Sequence, residues 1–209
     1  MGDFRTCAAT TLYLLLLASV ARHVLPTGLG QCPTFGQLQD FDINKMVGKW
    51  YEVERSFYLM ELSASCTELR VKLNNRGQLD IVIHTRNRWT GTHCITRGMG
   101  VMSHDGASSF RYRVHNRMPY VIGRLLPGAG QYSILATDYD HFALIWSCTG
   151  LSLAHSDRMW VLGRKREIDA QLRAYIYNLL NNFGMDADRL ILSKNNDCPD
   201  YDKNNTRTD

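Results

Sequence analysis

The sequence has little charge of one sign to offer: its formal net charge is +4 over 209 residues, and its lysines and arginines form no stripe with interleaved aromatics. Nucleic-acid binding therefore has no footing in it, while a weak attraction to anionic membrane surfaces does. It also lacks a Gly-rich phosphate loop, a His-Glu-x-x-His and a Gly-x-Ser-x-Gly, which removes common nucleotide-binding, metalloprotease and serine-hydrolase signatures. Beyond Gly30 there is no run long and apolar enough to anchor the chain in a bilayer. What remains is an ordinary globular composition, 44% hydrophobic and 21% charged, in a length that suits one domain with a sizeable core.

The N-terminus is the exception to the short apolar runs. Arg5 precedes a mostly apolar stretch from Cys7 to Val20, too short to span a membrane and placed where the core of a signal peptide belongs. Residues 1–30 therefore read as a leader, with Ala21 and Gly30 both open as cleavage sites, and the mature chain reads as secreted and extracellular. Cys7 leaves with the leader. Cys32, Cys66, Cys94, Cys148 and Cys198 remain in an oxidising compartment that favours disulfides, and four cysteines allow three connectivities that spacing alone does not separate.

The body of the sequence is a series of short strand-like segments. The first is Gly48-Lys49-Trp50-Tyr51-Glu52-Val53-Glu54-Arg55, a glycine followed by aromatic and β-branched residues. A helical turn over Phe41 to Val47, with Asp42 as N-cap, leads into it. Period-two alternation then recurs: Leu69, Val71 and Leu73 against Arg70 and Lys72; Leu79, Ile81 and Ile83 against Asp80 and His84; Phe110, Tyr112 and Val114 against Arg111 and Arg113. Asn74-Asn75-Arg76-Gly77 is a hairpin signal. A less regular segment, about Thr92 to Met102, carries Gly98 and Gly100, which suggest a bulge or sharp bend. Further strands are expected over Tyr132 to Thr137, Phe142 to Cys148 and about Arg158 to Arg164. One amphipathic helix follows, with Ile168, Leu172, Tyr175, Ile176, Leu179, Leu180 and Phe183 at helical spacing and Gly184 as its C′ residue. The tail from Lys194 is polar, with disorder expected beyond Cys198, and Asn204-Asn205-Thr206 is a glycosylation sequon.

Gly48-Lys49-Trp50, then Thr137-Asp138-Tyr139, then Trp160-Val161-Leu162-Gly163-Arg164, in that order before one helix, resemble the three signature regions of the lipocalin family. The resemblance runs from about Gln31 to Tyr201 and is closest to the apolipoprotein D and Lazarillo branch. It implies an all-β fold: an eight-stranded antiparallel up-and-down barrel over residues 31–201, one C-terminal α-helix packed outside, and a polar tail over 202–209. It also implies disulfides Cys32–Cys148 and Cys66–Cys198, each closing a long loop and contributing roughly 4–5 kcal/mol at most. Cys94 is left over, either buried and inert or an exposed thiol linking two chains. Gly48, Trp50, Thr137, Asp138, Tyr139 and Arg164 become structural residues, with Arg164 over the Trp50 indole across the closed end.

In such a barrel the inward residues wall a blind cavity. Parity selects Leu69, Val71, Ile81, Ile83, Thr85, Phe110, Tyr112, Val114, Tyr132, Ile134 and Trp160 as its lining, almost wholly apolar, with Thr85 and the hydroxyls of Tyr112 and Tyr132 as the polar groups that would orient a ligand. The expected function is a secreted carrier of small hydrophobic molecules (fatty acid, lipid, sterol-like compound or pigment), needing no cofactor and no catalytic group. Apolar connections carrying Phe57, Leu59, Val121, Ile122, Leu125 and Leu126 lie at one rim, as a lid over the mouth or as a patch touching membrane or lipoprotein. The rivals are a haem or biliverdin carrier, with His84 and His93 as haem candidates, and an interaction module acting through the rim. An enzyme would rest on Cys94, but adjacent strand residues point to opposite faces, so His93 does not assist it.

Overall fold

The computed structural model describes residues 28–57, 63–104, 106–115, 130–150 and 153–202. Residues 1–27 of the expected leader over 1–30, together with Leu59, Val121, Ile122, Leu125, Leu126 and Asn204, lie outside them. The elements are β1 (Gly28–Leu29), β2 (Gly48–Ser56), β3 (Ala64–Leu73), β4 (Leu79–Asn87), β5 (His93–Met102), β6 (Ser109–Val114), β7 (Gly130–Thr137), β8 (Phe142–Gly150), β9 (Ala154–Gly163), α1 (Ala170–Asn182) and β10 (Leu190–Leu192). Strands β2 to β9 neighbour one another in chain order. Strand β9 then returns to β2, with Tyr51 opposite Gly163 and Arg55 opposite Trp160, so the sheet closes into an eight-stranded antiparallel barrel. Closure removes the unpaired edges an open sheet would present.

Two compact units are distinguished. Residues 33–148 with 158–202 hold the barrel and helix. Residues 28–32 with 149–150 and 153–157 hold β1, which pairs antiparallel with the start of β9 at His155 and Ala154. In that smaller unit Leu29 and Leu153 are exposed.

Both faces of β2 are covered, which is why a strand with three charged residues in its second half is buried from Glu52 to Ser56. On the outer face Glu54 accepts from Arg173 Nε at 2.6 Å and from Tyr177 Oη at 2.8 Å. A buried carboxylate requires such partners. Arg173, a charged residue of α1, is turned onto the barrel by this pair. The helix buries Ile176 and Leu180, and leaves Tyr175 largely exposed. Its N-cap is Asp169, whose side chain accepts from the Leu172 amide, and Gly184 beyond its end has φ +69°.

Two further expectations are corrected. Gly98 and Gly100 mark no bulge, since β5 pairs with β4 and β6 in unbroken register; they clear space for rings on β6. After the helix, β10 pairs with β2 at Ser56, Arg55 and Glu54. Past Cys198 the tail stays docked, because Tyr201 is buried and donates to the Cys66 carbonyl at 3.1 Å. Asp202, assigned to the loose tail, pairs with Lys49 and with Arg70. Cys66 and Cys198 are bonded, closing a sequence separation of 132, and Cys32 and Cys148 are each disulfide-bonded too.

Candidate functional site

The barrel is sealed at one end by groups that leave no polar atom idle. Trp50 is fully buried and its indole N–H donates to the Met46 carbonyl at 2.8 Å. The Arg164 guanidinium lies over the indole, 3.7 Å from the ring centroid, an attractive contact between a cation and the negative ring face. Its N–H groups reach four carbonyls: Tyr139 at 2.8 Å, Lys45 at 2.8 Å, Lys49 at 3.0 Å and Val47 at 3.2 Å. Gly48 makes this possible. It sits at φ +112°, and a Cβ there would stand 3.1 Å from Arg164 Nη1.

The turn after β7 completes the floor. Thr137 Oγ1 accepts from the Tyr139 amide at 2.9 Å, and Tyr139 Oη accepts from the Asp42 amide at 3.0 Å. These bonds hold Tyr139 at φ +67°, a region a non-glycine residue occupies only when its surroundings require it. Asp138 accepts from the His141 and Phe142 amides at 2.8 and 2.9 Å. Burial pushes its carboxyl up, but these hydrogen bonds outweigh it and the group ends below its ordinary range.

Above this floor the barrel is hollow. A cavity of about 220 Å³ is bounded by Leu69, Ile81, Ile83 and Thr85 on β3 and β4 and by Phe110, Tyr112, Val114, Tyr132 and Trp160 on β6, β7 and β9. These nine positions are brought together where strand parity puts them. Val71 and Ile134 share the inward parity and are buried, but they do not border the cavity. Alternation gives the face of a residue, not its height along the barrel, and Val71 sits at the level of Gly48 beside the floor.

Leu162, Ile145, Thr96, Ala64, Thr67, Glu52 and Arg55 also border the cavity. Thr96 and Ile145 lie on strands whose parity the sequence did not reveal. Glu52 and Arg55 correct the expectation of an almost wholly apolar wall. Their carboxylate and guanidinium are buried against each other, with Ser193 Oγ donating to Glu52 at 2.6 Å. A break in register between Glu52 and Glu54 puts them out of the simple alternation, so no pattern in the sequence announced them.

The two sides of the chamber differ. The β6–β9 side is aromatic: Tyr132 lies 5.6 Å from Phe110, 6.2 Å edge-on from Tyr112 and 5.5 Å from Trp160, between ring centroids. The β3–β5 side is aliphatic, edged by Thr85 and Thr96. Tyr112 is fixed by the absence of a side chain opposite it, since a Cβ on Gly98 would fall 2.5 Å from its ring. Its hydroxyl is buried with no hydrogen-bond partner among the described residues, and burial pushes its pKa up to about 12.

His84 and His93 do not border the cavity. They face each other on the outer wall, His84 Nδ1 3.1 Å from His93 Nε2, and both rings stack on Tyr201, at 5.0 and 4.6 Å. Cys94 is an exposed free thiol, which removes its buried, inert alternative. Of the rim residues, Phe57 is 61% exposed, and Trp89, which sequence reasoning did not single out, is 67% exposed beside Arg88.

Comparison with known proteins agrees with this architecture. The model of the lipocalin / cytosolic fatty-acid binding protein family matches residues 47–205. Apolipoprotein D of Cavia porcellus is 30% identical over 198 residues, covering 90% of this chain and 97% of that protein. Among solved structures, lobster apocrustacyanin A1 superposes with a TM-score of 0.68 at 19% identity, over 87% of this chain and 99% of its own. Insecticyanin of the tobacco hornworm Manduca sexta gives 0.67 at 20% identity, over 80% of this chain and 88% of its own.

Proposed function

We propose, from the premise that this chain belongs to the lipocalin / cytosolic fatty-acid binding protein family, that it is a secreted, non-enzymatic carrier of small hydrophobic ligands held inside the barrel. The observation that carries this reading is the hollow of about 220 Å³ above the floor, within a mostly apolar wall that carries one buried Glu52–Arg55 pair. Aliphatic and aromatic side chains on opposite sides suit a largely apolar guest with one polar end. A ligand burying roughly 300 Å² would gain on the order of 7 kcal/mol before ordering costs, giving micromolar affinity at best. Leu69, Ile81, Ile83, Thr85, Phe110, Tyr112, Val114, Tyr132 and Trp160 are the proposed contacts. The oxidised cysteines support an extracellular setting, in which Asn204 would carry glycan.

Trp160 borders the cavity, so its fluorescence is a built-in probe. Native mass spectrometry of protein purified from its source should reveal a lipophilic guest, and re-addition of that guest after solvent extraction should change Trp160 emission to saturation. A guest-free protein whose emission no lipid, sterol or pigment alters would end the carrier reading. Exposed Phe57 and Trp89 favour, in addition, contact of the rim with a membrane or lipoprotein surface. Flotation with liposomes should fall when Phe57, Leu125 and Leu126 are changed to Asp, and unchanged flotation would remove that contact. A haem ligated through His84 or His93 would sit on the outer wall rather than in the chamber.

A further inference from the structure

Among the described residues, buried tyrosine hydroxyls find partners, with one exception on a residue that borders the chamber. Tyr139 Oη accepts from the Asp42 amide, Tyr177 Oη donates to Glu54 and Tyr201 Oη donates to the Cys66 carbonyl. Tyr112 borders the cavity, and its Oη is buried with none among the described residues. Leaving a hydroxyl dry costs roughly 1–3 kcal/mol. The ring cannot easily swing to seek another bond, because it lies flat over Gly98 and edge-on to Tyr132. We infer that the Tyr112 hydroxyl selects ligands carrying a neutral carbonyl-class oxygen (ketone, aldehyde, ester or amide) by donating a hydrogen bond to it, an inference that rests on the carrier reading above.

The preference for a neutral acceptor comes from the charges around the chamber. Among the described lining residues Arg55 is the cation, and Glu52 lies against it, so these two bring no net charge. A carboxylate entering the chamber would meet Glu52 as well as Arg55 and would stay largely uncompensated, which low-dielectric surroundings penalise heavily. A carbonyl oxygen needs one donor and no countercharge. The phenol supplies that donor at every physiological pH, its deprotonation lying near 12.

The test uses the disulfide-bonded chain and three probes of equal length: a medium-chain methyl ketone labelled with ¹³C at its carbonyl, the corresponding alkane, and the corresponding fatty acid. Displacement of a fluorescent apolar dye gives their affinities, and infrared spectroscopy reads the ketone carbonyl. In the wild-type protein the carbonyl band should shift to lower frequency on binding. Tyr112→Phe, which keeps the ring, should abolish that shift and lower the ketone-to-alkane affinity ratio roughly 3- to 10-fold. The fatty acid should weaken as the pH rises through its own ionisation. The infrared shift is read without any variant, so it stands even if Tyr112→Phe folds poorly. An unshifted carbonyl, an unchanged ratio in Tyr112→Phe, or a carboxylate that outcompetes the ketone would each overturn the inference while leaving the carrier standing. Failure of all three probes to displace the dye would instead strike the carrier reading, and the inference with it.

Discussion

The floor of the barrel and the chamber above it are built from the same strands, yet they treat polar groups in opposite ways. At the floor one guanidinium meets four carbonyls and an indole face, and the indole N–H is itself bonded. In the chamber a tyrosine hydroxyl is left over. Each region also depends on a glycine: Gly48 admits the Arg164 head, and Gly98 admits the Tyr112 ring. The same device of removing a Cβ serves a saturated network in one place and an unsatisfied donor in the other. Complete satisfaction suits a part whose work is to hold the fold, and the unsatisfied donor on the chamber residue is what the proposed ligand contact would explain.

The sharpest way to break this comparison is to attack the floor. Trp50→Ala should destabilise by about 3–5 kcal/mol, as expected for truncating a fully buried tryptophan, read from denaturant midpoints. Arg164→Lys keeps the charge but cannot reproduce a planar fork over the indole or its set of carbonyl bonds; about 2 kcal/mol should be lost. In both variants the fraction that remains folded should bind ligand normally. A floor variant with full stability and lost binding would reverse the roles assigned here.

The chamber should respond the other way. Thr96→Phe places a ring into empty space, so stability should move by less than about 1 kcal/mol while ligand affinity falls at least tenfold, measured by dye displacement. Overpacking a filled core would instead cost roughly 1–3 kcal/mol. A large stability loss in Thr96→Phe would therefore mean that the space is core and not a chamber.

The two regions were also unequally legible. The floor could be read because its parts are discrete short signatures, Gly48 to Trp50, Thr137 to Tyr139, and Arg164, whose geometry depends on those residue types. The chamber was read through period-two alternation, which found nine of its residues but took Val71 and Ile134 for lining because parity carries no information on height. Glu52 and Arg55 were invisible for a different reason. A register break inside β2 shifts which residues face inward, and such irregularities are set by neighbouring strands, not by local pattern. The docking of Tyr201 and Asp202 was likewise hidden: a polar C-terminal stretch looks unstructured until Cys66, Lys49 and Arg70, more than a hundred positions earlier, are seen to hold it.

That docked tail supplies the smallest effect, and one that separates the outer wall from both regions inside. His84 is covered by His93 and Tyr201, with Arg70 and Arg97 adding positive potential and Glu68 opposing it. Burial first, then Arg70 and His93, lower its pKa below the ordinary histidine value. A histidine depressed in the folded state takes up its proton more readily when unfolded. Its contribution to stability is therefore complete above the unfolded value of about 6.5 and is lost progressively as the pH falls through that value toward the lower folded one. Asp202, held low by its hydrogen bond to Lys49, loses its contribution only in the more acid carboxylate range, so the two windows do not coincide. Denaturant midpoints of the wild-type protein should fall modestly between pH 7.5 and 5.5, with His84→Gln flattening that slope. Over the same interval the affinity for a neutral ligand should hold constant in the folded protein, because the Tyr112 phenol stays protonated throughout. Affinity that drops in step with stability would mean that the outer wall and the chamber are coupled, and the separation drawn between them would have to be abandoned.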